Sequence, residues 1–230
     1  MFLEVLHQLT AADWFGLIWF LLCWGGYGLL SERASRGRQS LLGASHRERL
    51  DWAYMMLDRE NRIVDVGLVG NLVHSVSFYA NASIYILAGL VALIGGLDRV
   101  IAATSALPFA FHGSRDVLEF KLILLAFSFV VAYFKFTWSL RQFNILSIVI
   151  GAAPPPKASP EEKKRSANKM ALVNAEAGDD FNAGIRAYYF GLAVLLWCVN
   201  AWLFVAMSTA ILIVLARRDF ASQTFKALNE

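Results

Sequence analysis

The sequence predicts an all-α membrane protein: a polytopic bundle of four transmembrane helices with short amphipathic helices on the cytoplasmic side. Only 17% of the 230 residues are charged and 57% are hydrophobic, whereas a soluble domain carries about 25% charged residues. The mean hydropathy is +0.50, and the apolar residues form blocks long enough to cross a hydrocarbon core of about 30 Å. We therefore expect one integral membrane domain over residues 1–230.

Four apolar blocks predict the spans, at about 13–30, 64–97, 117–150 and 184–216. The last three are longer than one crossing needs and shorter than two crossings with a turn. We expect each to be a single long helix that tilts or protrudes from the bilayer. The segment before the first block has no Lys or Arg, so it lacks the basic region of a secretory signal peptide, and the first block is expected to remain as a span.

The basic residues predict the orientation. Thirteen Lys and Arg residues fall in segments 31–63 and 151–183 together with Arg186, against six in the second loop and the C-terminal segment. The positive-inside rule then places these two segments in the cytoplasm and both termini outside, although Arg217 and Arg218 run against it. We expect a bacterial cell inner membrane with anionic lipid contacts. No stretch interleaves basic and aromatic residues, so no nucleic-acid partner is expected.

The first cytoplasmic segment predicts an amphipathic helix. Ser45 and Glu48 have the spacing of a capping box, which opens a helix. Tyr54 and Leu57 belong to an apolar series at helical spacing, whereas Arg49 is expected on the wet face. Such a helix lies on the inner membrane surface or packs on the bundle.

The second cytoplasmic segment predicts another helix after the proline run at 154–156. Ser159 is expected as the N-cap, Pro160 at the first helical position and Glu162 at the third. We expect this helix to end at about Gly178 and the chain to re-enter the membrane after it.

A polar stripe on the second span is the first candidate site. Asn71, His74 and Asn81 are spaced so that they share one helix face, and polar residues inside a membrane helix often mark function. The alternative is that the amides hydrogen-bond neighbouring helices. A haem at His74 would usually need a second axial ligand, and the two cysteines form no CxxC or Cys/His cluster, so we expect no cofactor and no metal.

A basic and amide group at the inner interface is the second candidate site. Lys135 and Arg141 follow the apolar half of the third span, and Asn182 and Arg186 begin the fourth. We expect them at one depth, where they can hold an anion such as a lipid headgroup. The alternative is that the long basic side chains only extend to the headgroups.

Four stretches resemble an uncharacterised family of four-span membrane proteins, known as a domain of unknown function. They are RENRIVDVGLVGNLVHSVSFYANASI (59–84), FTWSLRQFNILSIVIGAAP (136–154), FNAGIRAYYF (181–190) and RRDF (217–220). The resemblance covers the chain from about residue 45 onward; it implies a four-helix membrane fold and lends no activity. The positions that match the family motifs are Asn61, Arg62, Asn71, Arg141, Asn182, Arg186 and Tyr189.

The sequence favours a non-enzymatic accessory or scaffolding subunit, packed beside a membrane partner or a second copy of itself. One alternative is a small oligomeric channel or transporter with the polar stripe lining its path. Another is a membrane enzyme acting on a lipid or quinone headgroup. The sequence offers the enzyme neither a Ser/His/Asp set nor paired carboxylates, so we name no catalytic residue.

Overall fold

The computed structural model describes residues 6–36, 40–104 and 114–229, and within those ranges it is helical, with no strand. In chain order the helices are α1 (Ala11–Leu21), α2 (Tyr27–Arg36), α3 (Leu41–Asp58), α4 (Ile63–Gly95), α5 (Leu97–Thr104), α6 (Arg115–Gly151), α7 (Pro160–Trp197), α8 (Ala201–Ala221) and α9 (Gln223–Ala227). A π-helical turn, Leu22–Gly26, joins α1 to α2. The predicted all-α fold class is confirmed.

Four helical stretches are long and apolar enough to cross a membrane, so the chain is an integral membrane protein. They are Ala11–Ser35, Ile63–Gly95, Arg115–Gly151 and Ala201–Ala227. The second and third predicted blocks are each one continuous helix, α4 and α6, as expected.

The prediction of one helix over 184–216 is wrong. The block is divided between α7, which ends at Trp197, and α8, which begins at Ala201. Asn200 causes the break locally: its side-chain oxygen accepts a hydrogen bond from the backbone N–H of Trp202 at 2.7 Å. A side chain that satisfies a free N–H in this way starts a new helix.

The chain forms two compact units. Unit 1 comprises Met1–Leu30, Ala82–Tyr133 and Ile185–Ala216, and unit 2 comprises Ser31–Asn81, Phe134–Gly184 and Arg217–Glu230. An aromatic cluster around the fully buried Phe20 holds unit 1 together, and one around the fully buried Phe136 does so in unit 2.

Contacts within unit 1 show that the chain reverses between α7 and α8. The Phe20 ring lies 5.8 Å from the Phe190 ring and 5.1 Å from the Phe204 ring. In one continuous helix the last two residues would be about 21 Å apart, so both can touch Phe20 only if the chain turns back.

The same unit shows that α1 and α8 run in the same direction. Gly16 packs against Phe204, where a Cβ would come within 3.0 Å of the ring. Further along both helices, Trp19 Nε1 donates to Thr209 Oγ1 at 2.9 Å. The predicted arrangement, with both termini extracytoplasmic, has the first and fourth spans antiparallel, whereas α1 and α8 are parallel in unit 1.

The helix α3 in unit 2 starts earlier than predicted. Its N-cap is Ser40, whose hydroxyl accepts from the N–H of Gly43 at 3.3 Å, and Ser45 lies inside the helix. Leu57 is fully buried, as expected. The prediction that Arg49 faces water is wrong, because its guanidinium donates to the backbone carbonyls of α7 at Asn174 and Ala175.

The start of α7 is confirmed and its end is not. Ser159 and Glu162 form the expected capping box, and the N–H and hydroxyl of Ser159 lower the pKa of the Glu162 carboxyl. The helix does not stop at Gly178 but continues to Trp197. A Cβ at Gly178 would clash with the Arg49 guanidinium, so the glycine lets the arginine lie against the α7 backbone.

Candidate functional site: a polar stripe on α4 and two ion networks

The predicted stripe lies on the outward side of α4. Asn71, His74 and Asn81 are all exposed, and Phe78 between them is 65% exposed. At 100° per residue the buried positions of α4 in unit 2 point to the opposite side of the helix. Those positions are Asp65, Val69, Val76 and Ala80. The stripe therefore does not line the interior of the described chain.

The surroundings of the stripe are open. A Cβ added at Gly67 or Gly70 would meet no atom within 4 Å. Along this face the Ser75 hydroxyl donates to the Asn71 carbonyl of the same helix at 3.0 Å. The stripe is thus polar, accessible and set within a 33-residue apolar helix.

Arg141 lies on an exposed face of α6. Its guanidinium carbon is 5.5 Å from the centre of the Trp138 ring, a cation–π distance. Trp138 itself is 51% exposed. An aromatic ring beside an exposed arginine is typical of a side-chain pair at a membrane–water interface.

Lys135 does not stand beside Arg141 as a free cation. Its Nζ lies 2.8 Å from Asp180 Oδ1, and the other oxygen of Asp180 accepts from Gln142 Nε2 at 2.9 Å. Asn182 Nδ2 donates to the Gly178 carbonyl of its own helix at 2.9 Å. Two of the four predicted anion-binding residues therefore make internal contacts in unit 2.

Arg186 belongs to unit 1 and is buried, with 9% of its surface exposed. Arg141, Lys135 and Asn182 belong to unit 2. A joint anion site of Arg141 and Arg186 therefore stays a prediction.

Sequence reasoning missed a buried ion pair in unit 1. Asp13 at the start of α1 is 6% exposed and Lys121 of α6 is 4% exposed, and their charged atoms are 2.9 Å apart. Trp197 Nε1 also donates to Asp13 at 2.6 Å, and Lys121 donates to the Trp197 carbonyl at 3.2 Å. The second oxygen of Asp13 accepts from the N–H and hydroxyl of Thr10.

The pair can hold α1, α6 and the end of α7 together, because each charge is hydrogen-bonded where burial would otherwise be costly. A cavity of about 460 Å³ opens beside it. Its polar lining consists of Gln8, Thr10, Asp13, Ser114, Lys121 and Asn200. The sequence contained a signal for this pair, because one acid and one base lie within apolar blocks. It was missed because Lys121 was counted among the basic residues of the second loop.

Among the described residues, no group of three or more His, Cys, Asp or Glu side chains is arranged to hold a metal ion. A protein family described as a protein of unknown function, DUF599, matches residues 15–224. The chain belongs to the DUF599 family. No curated protein and no solved structure matches it.

In this DUF599 chain the RENRIVD stretch (59–65) forms the corner between α3 and α4. The fully buried Asp65 accepts from Arg59 at 2.6 Å and from Trp52 Nε1 at 2.7 Å. Asn61 accepts from the N–H of Ile63, and Arg62 donates to the carbonyl of Pro154 at 2.7 Å. The stretch therefore fixes the chain path at the start of α4.

A second stretch of the DUF599 chain, FNAGIRAYYF (181–190), serves packing. Its Phe181 ring lies 5.9 Å from the Phe136 ring. A Cβ at Gly184 would come within 2.5 Å of Phe136, so only glycine lets the ring approach the helix backbone. Both stretches have a structural role that the described contacts explain.

Proposed function

We propose that this DUF599 protein is a non-enzymatic accessory or scaffolding subunit that packs beside another membrane helix through the outward face of α4. The observation that supports the proposal is the exposure of Asn71, His74 and Asn81 on a helix long and apolar enough to span a membrane.

The physical reason is the cost of a polar group in hydrocarbon. The 33 residues of α4 extend about 50 Å, and Asn71 and Asn81 lie about 12 and 27 Å from its start. A hydrocarbon core of about 30 Å takes about 20 residues of a helix, so Asn81, near the middle of α4, lies within it at any depth of the helix, and we place Asn71 near its inner edge. An amide with no hydrogen-bond partner in a bilayer is costly, and a second helix with polar groups can supply one.

We propose that the cytoplasmic side carries residues 31–63, 151–183 and 217–230. These segments contain 15 of the 21 Lys and Arg residues, the bias that the positive-inside rule requires. The C-terminal segment lies against α3, since Arg47 donates to the Leu228 carbonyl at 3.3 Å. Between residues 184 and 216 the chain then crosses the membrane twice, outward through the end of α7 and back through α8. With this further crossing the N-terminus is extracytoplasmic, and Arg217 and Arg218 no longer run against the rule.

Anionic lipid is the second partner that we propose, at Arg141. The exposed guanidinium beside the Trp138 ring has the composition of an interfacial headgroup contact. We place the protein in a bacterial cell inner membrane, whose cytoplasmic leaflet would meet these basic segments.

The test is photo-cross-linking from the exposed face of α4 in native membranes. A photoreactive phenylalanine replaces Phe78, and the matched control replaces Phe134 of α6, which is also aromatic and also 65% exposed. We expect a protein adduct at 78, identified by mass spectrometry, and mainly lipid adducts at 134. The adduct should weaken when Asn81→Leu is added. Lipid adducts alone at both positions would contradict lateral packing through α4.

A small oligomeric channel or transporter is the second candidate. The outward position of the stripe favours it only as an oligomer, because one copy leaves Asn71 and Asn81 on its outer surface. Flux in liposomes, with sizing of the assembly on native gels, tests it. Flux that disappears in the Asn71→Leu, Asn81→Leu double variant would favour the channel over the accessory subunit.

A further inference from the structure

We propose that the partner of α4 is α4 of a second copy, so that the protein forms a parallel homodimer through residues 67–81. This proposal rests on the proposed lateral packing and identifies the helix that packs against the outward face of α4. The two copies share one orientation in the membrane, so a two-fold axis along the membrane normal relates them.

The polar groups of the face complement themselves. In a two-fold interface the same patch is used on both copies, so residues near the axis meet their own counterparts. Asn71 and Asn81 each carry a donor and an acceptor on one side chain, as does a histidine such as His74 when its ring is neutral. Each can therefore pair with its own copy, which a side chain with donors only, such as lysine, cannot do.

The charge of the helix also fits a second copy. The 33 residues of α4 contain a single charged side chain, Asp65. It is fully buried on the opposite side, where Trp52 and Arg59 hold it. Two copies of the face can approach without the repulsion that like charges would cause.

The shape of the face permits close approach. The open space around Gly67 and Gly70 lies one to two turns before His74. Small residues at such positions let two helix backbones come near enough for short side chains to hydrogen-bond across the interface. Asn71 and Asn81 are about 15 Å apart along the helix, so they would place one amide contact on each side of His74.

The first experiment is disulfide cross-linking in native membranes with two differently tagged full-length copies. Phe78→Cys is placed in a Cys198→Ala background, since the remaining Cys23 is buried. We expect a disulfide-linked pair that carries both tags. Phe134→Cys in the same background has the same 65% exposure and should give little of it. The Asn81→Leu change should lower the association constant about threefold, the size of one hydrogen bond between membrane helices.

A charge exchange at His74 separates self-association from binding to another protein. His74→Glu and His74→Lys should each reduce the Phe78→Cys cross-link when expressed alone, because like charges meet at the axis. Co-expression of the two variants should restore a mixed pair that carries one copy of each. Recovery in the mixture also shows that both variants insert and fold.

The outcomes are distinct. A mixed pair restored by opposite charges supports the homodimer. A photo-cross-link from position 78 to a different protein, with no disulfide-linked pair carrying both tags, overturns the homodimer and leaves lateral packing standing. If position 78 gives neither a photo-cross-link to a protein nor a disulfide-linked pair, both proposals are overturned. If neither charged variant inserts, Gly70→Leu decides: an unchanged pair with this bulky residue overturns the homodimer, and a reduced pair supports it.

Discussion

Lys135 Nζ lies 2.8 Å from Asp180 Oδ1, so a cation that was predicted to bind an external anion has a carboxylate within its own chain. The adjacent Asp179 contacts a different helix, accepting from or pairing with His46 Nε2 at 2.8 Å. Two consecutive acids on α7 thus connect it to α6 and α3 within unit 2. Both acids lie just beyond Gly178, where the sequence predicts that the helix ends. For this reason neither acid was included in the basic and amide group predicted at the inner interface.

The Asp180 network is expected to behave as one unit in stability measurements. Asp180→Asn should lower the unfolding temperature in mild detergent, since the carboxylate also holds Gln142. Lys135→Gln alone should cost only about 0.2–1 kcal/mol, because the lysine is partly exposed. In the Asp180→Asn background the same change should cost still less. Asp179→Asn is the control that leaves Lys135 paired; additive losses for Lys135 and Asp180 would contradict the network.

Much of the fold follows from the apolar blocks. The bounds of α4 and α6 come within about two residues of the predicted ones, because long apolar runs and their polar flanks mark a span directly. The division of the fourth apolar block into α7 and α8 does not follow from hydropathy, because Asn200 is a single polar residue within an apolar run and changes the average hydropathy little. Its role as an N-cap depends on the reversal that packs Phe190 and Phe204 on Phe20.

For the candidate sites, the sequence predicted which residues share a helix face better than it predicted which residues they contact. Periodicity correctly placed Asn71, His74 and Asn81 on one face, but it does not say whether a face points inward or outward. Depth places Arg141 at the interface, which stays a prediction, and the partners of Lys135 and Arg49 come from helices distant in sequence. Long-range pairs of this kind need the packing of the helices, which a single sequence does not supply.

The ion pair of unit 1 gives a second stability prediction. Lys121→Met should destabilise the protein by about 3–5 kcal/mol, because it leaves Asp13 buried without its cation. Asp13→Asn combined with Lys121→Met should recover more than half of that loss, since the neutral amide needs no cation and its oxygen can still accept from Trp197. Unfolding in detergent, followed by size-exclusion chromatography of heated samples, measures both. A double variant as unstable as the single one would show that the charges themselves are needed.

The position of Arg49 predicts that α3 does not tolerate an acidic substitution there, although the sequence places this residue on the wet face of the helix. Burial lowers the pKa of the Arg49 guanidinium, while nearby Asp179 raises it. Arg49→Asp should therefore lower the yield of folded protein as strongly as Leu57→Asp, because it puts a carboxylate against the backbone carbonyls of α7. Asp51→Arg, a charge reversal at an exposed position of the same helix, is the control. A tolerated Arg49→Asp would contradict the packing of α3 on α7.

Arg141 tests the proposed lipid contact. Arginine binds a phosphate through two parallel hydrogen bonds, which lysine cannot reproduce. Arg141→Lys should therefore reduce retained anionic lipid in mildly purified protein, with a loss of roughly 1–3 kcal/mol for a charge-assisted contact. Arg186→Lys tests the predicted joint site in the same assay, and a folding measurement accompanies it because Arg186 is buried. Normal lipid retention in both variants would leave Arg141 as a membrane anchor only.

The last prediction concerns topology, and it tests the proposed cytoplasmic C-terminus. Within unit 1, α1 and α8 run in the same direction, and within unit 2 the Arg47–Leu228 contact puts the C-terminal segment beside α3. Reporter fusions at residue 160 and at the C-terminus should therefore both report the cytoplasm, whereas a fusion at the N-terminus should report the extracytoplasmic side. Green fluorescent protein and alkaline phosphatase give opposite signals, so each position is read twice. An active phosphatase at the C-terminus would restore the arrangement first predicted from the basic residues, and it would mean that α7 and α8 cross the membrane as one helix.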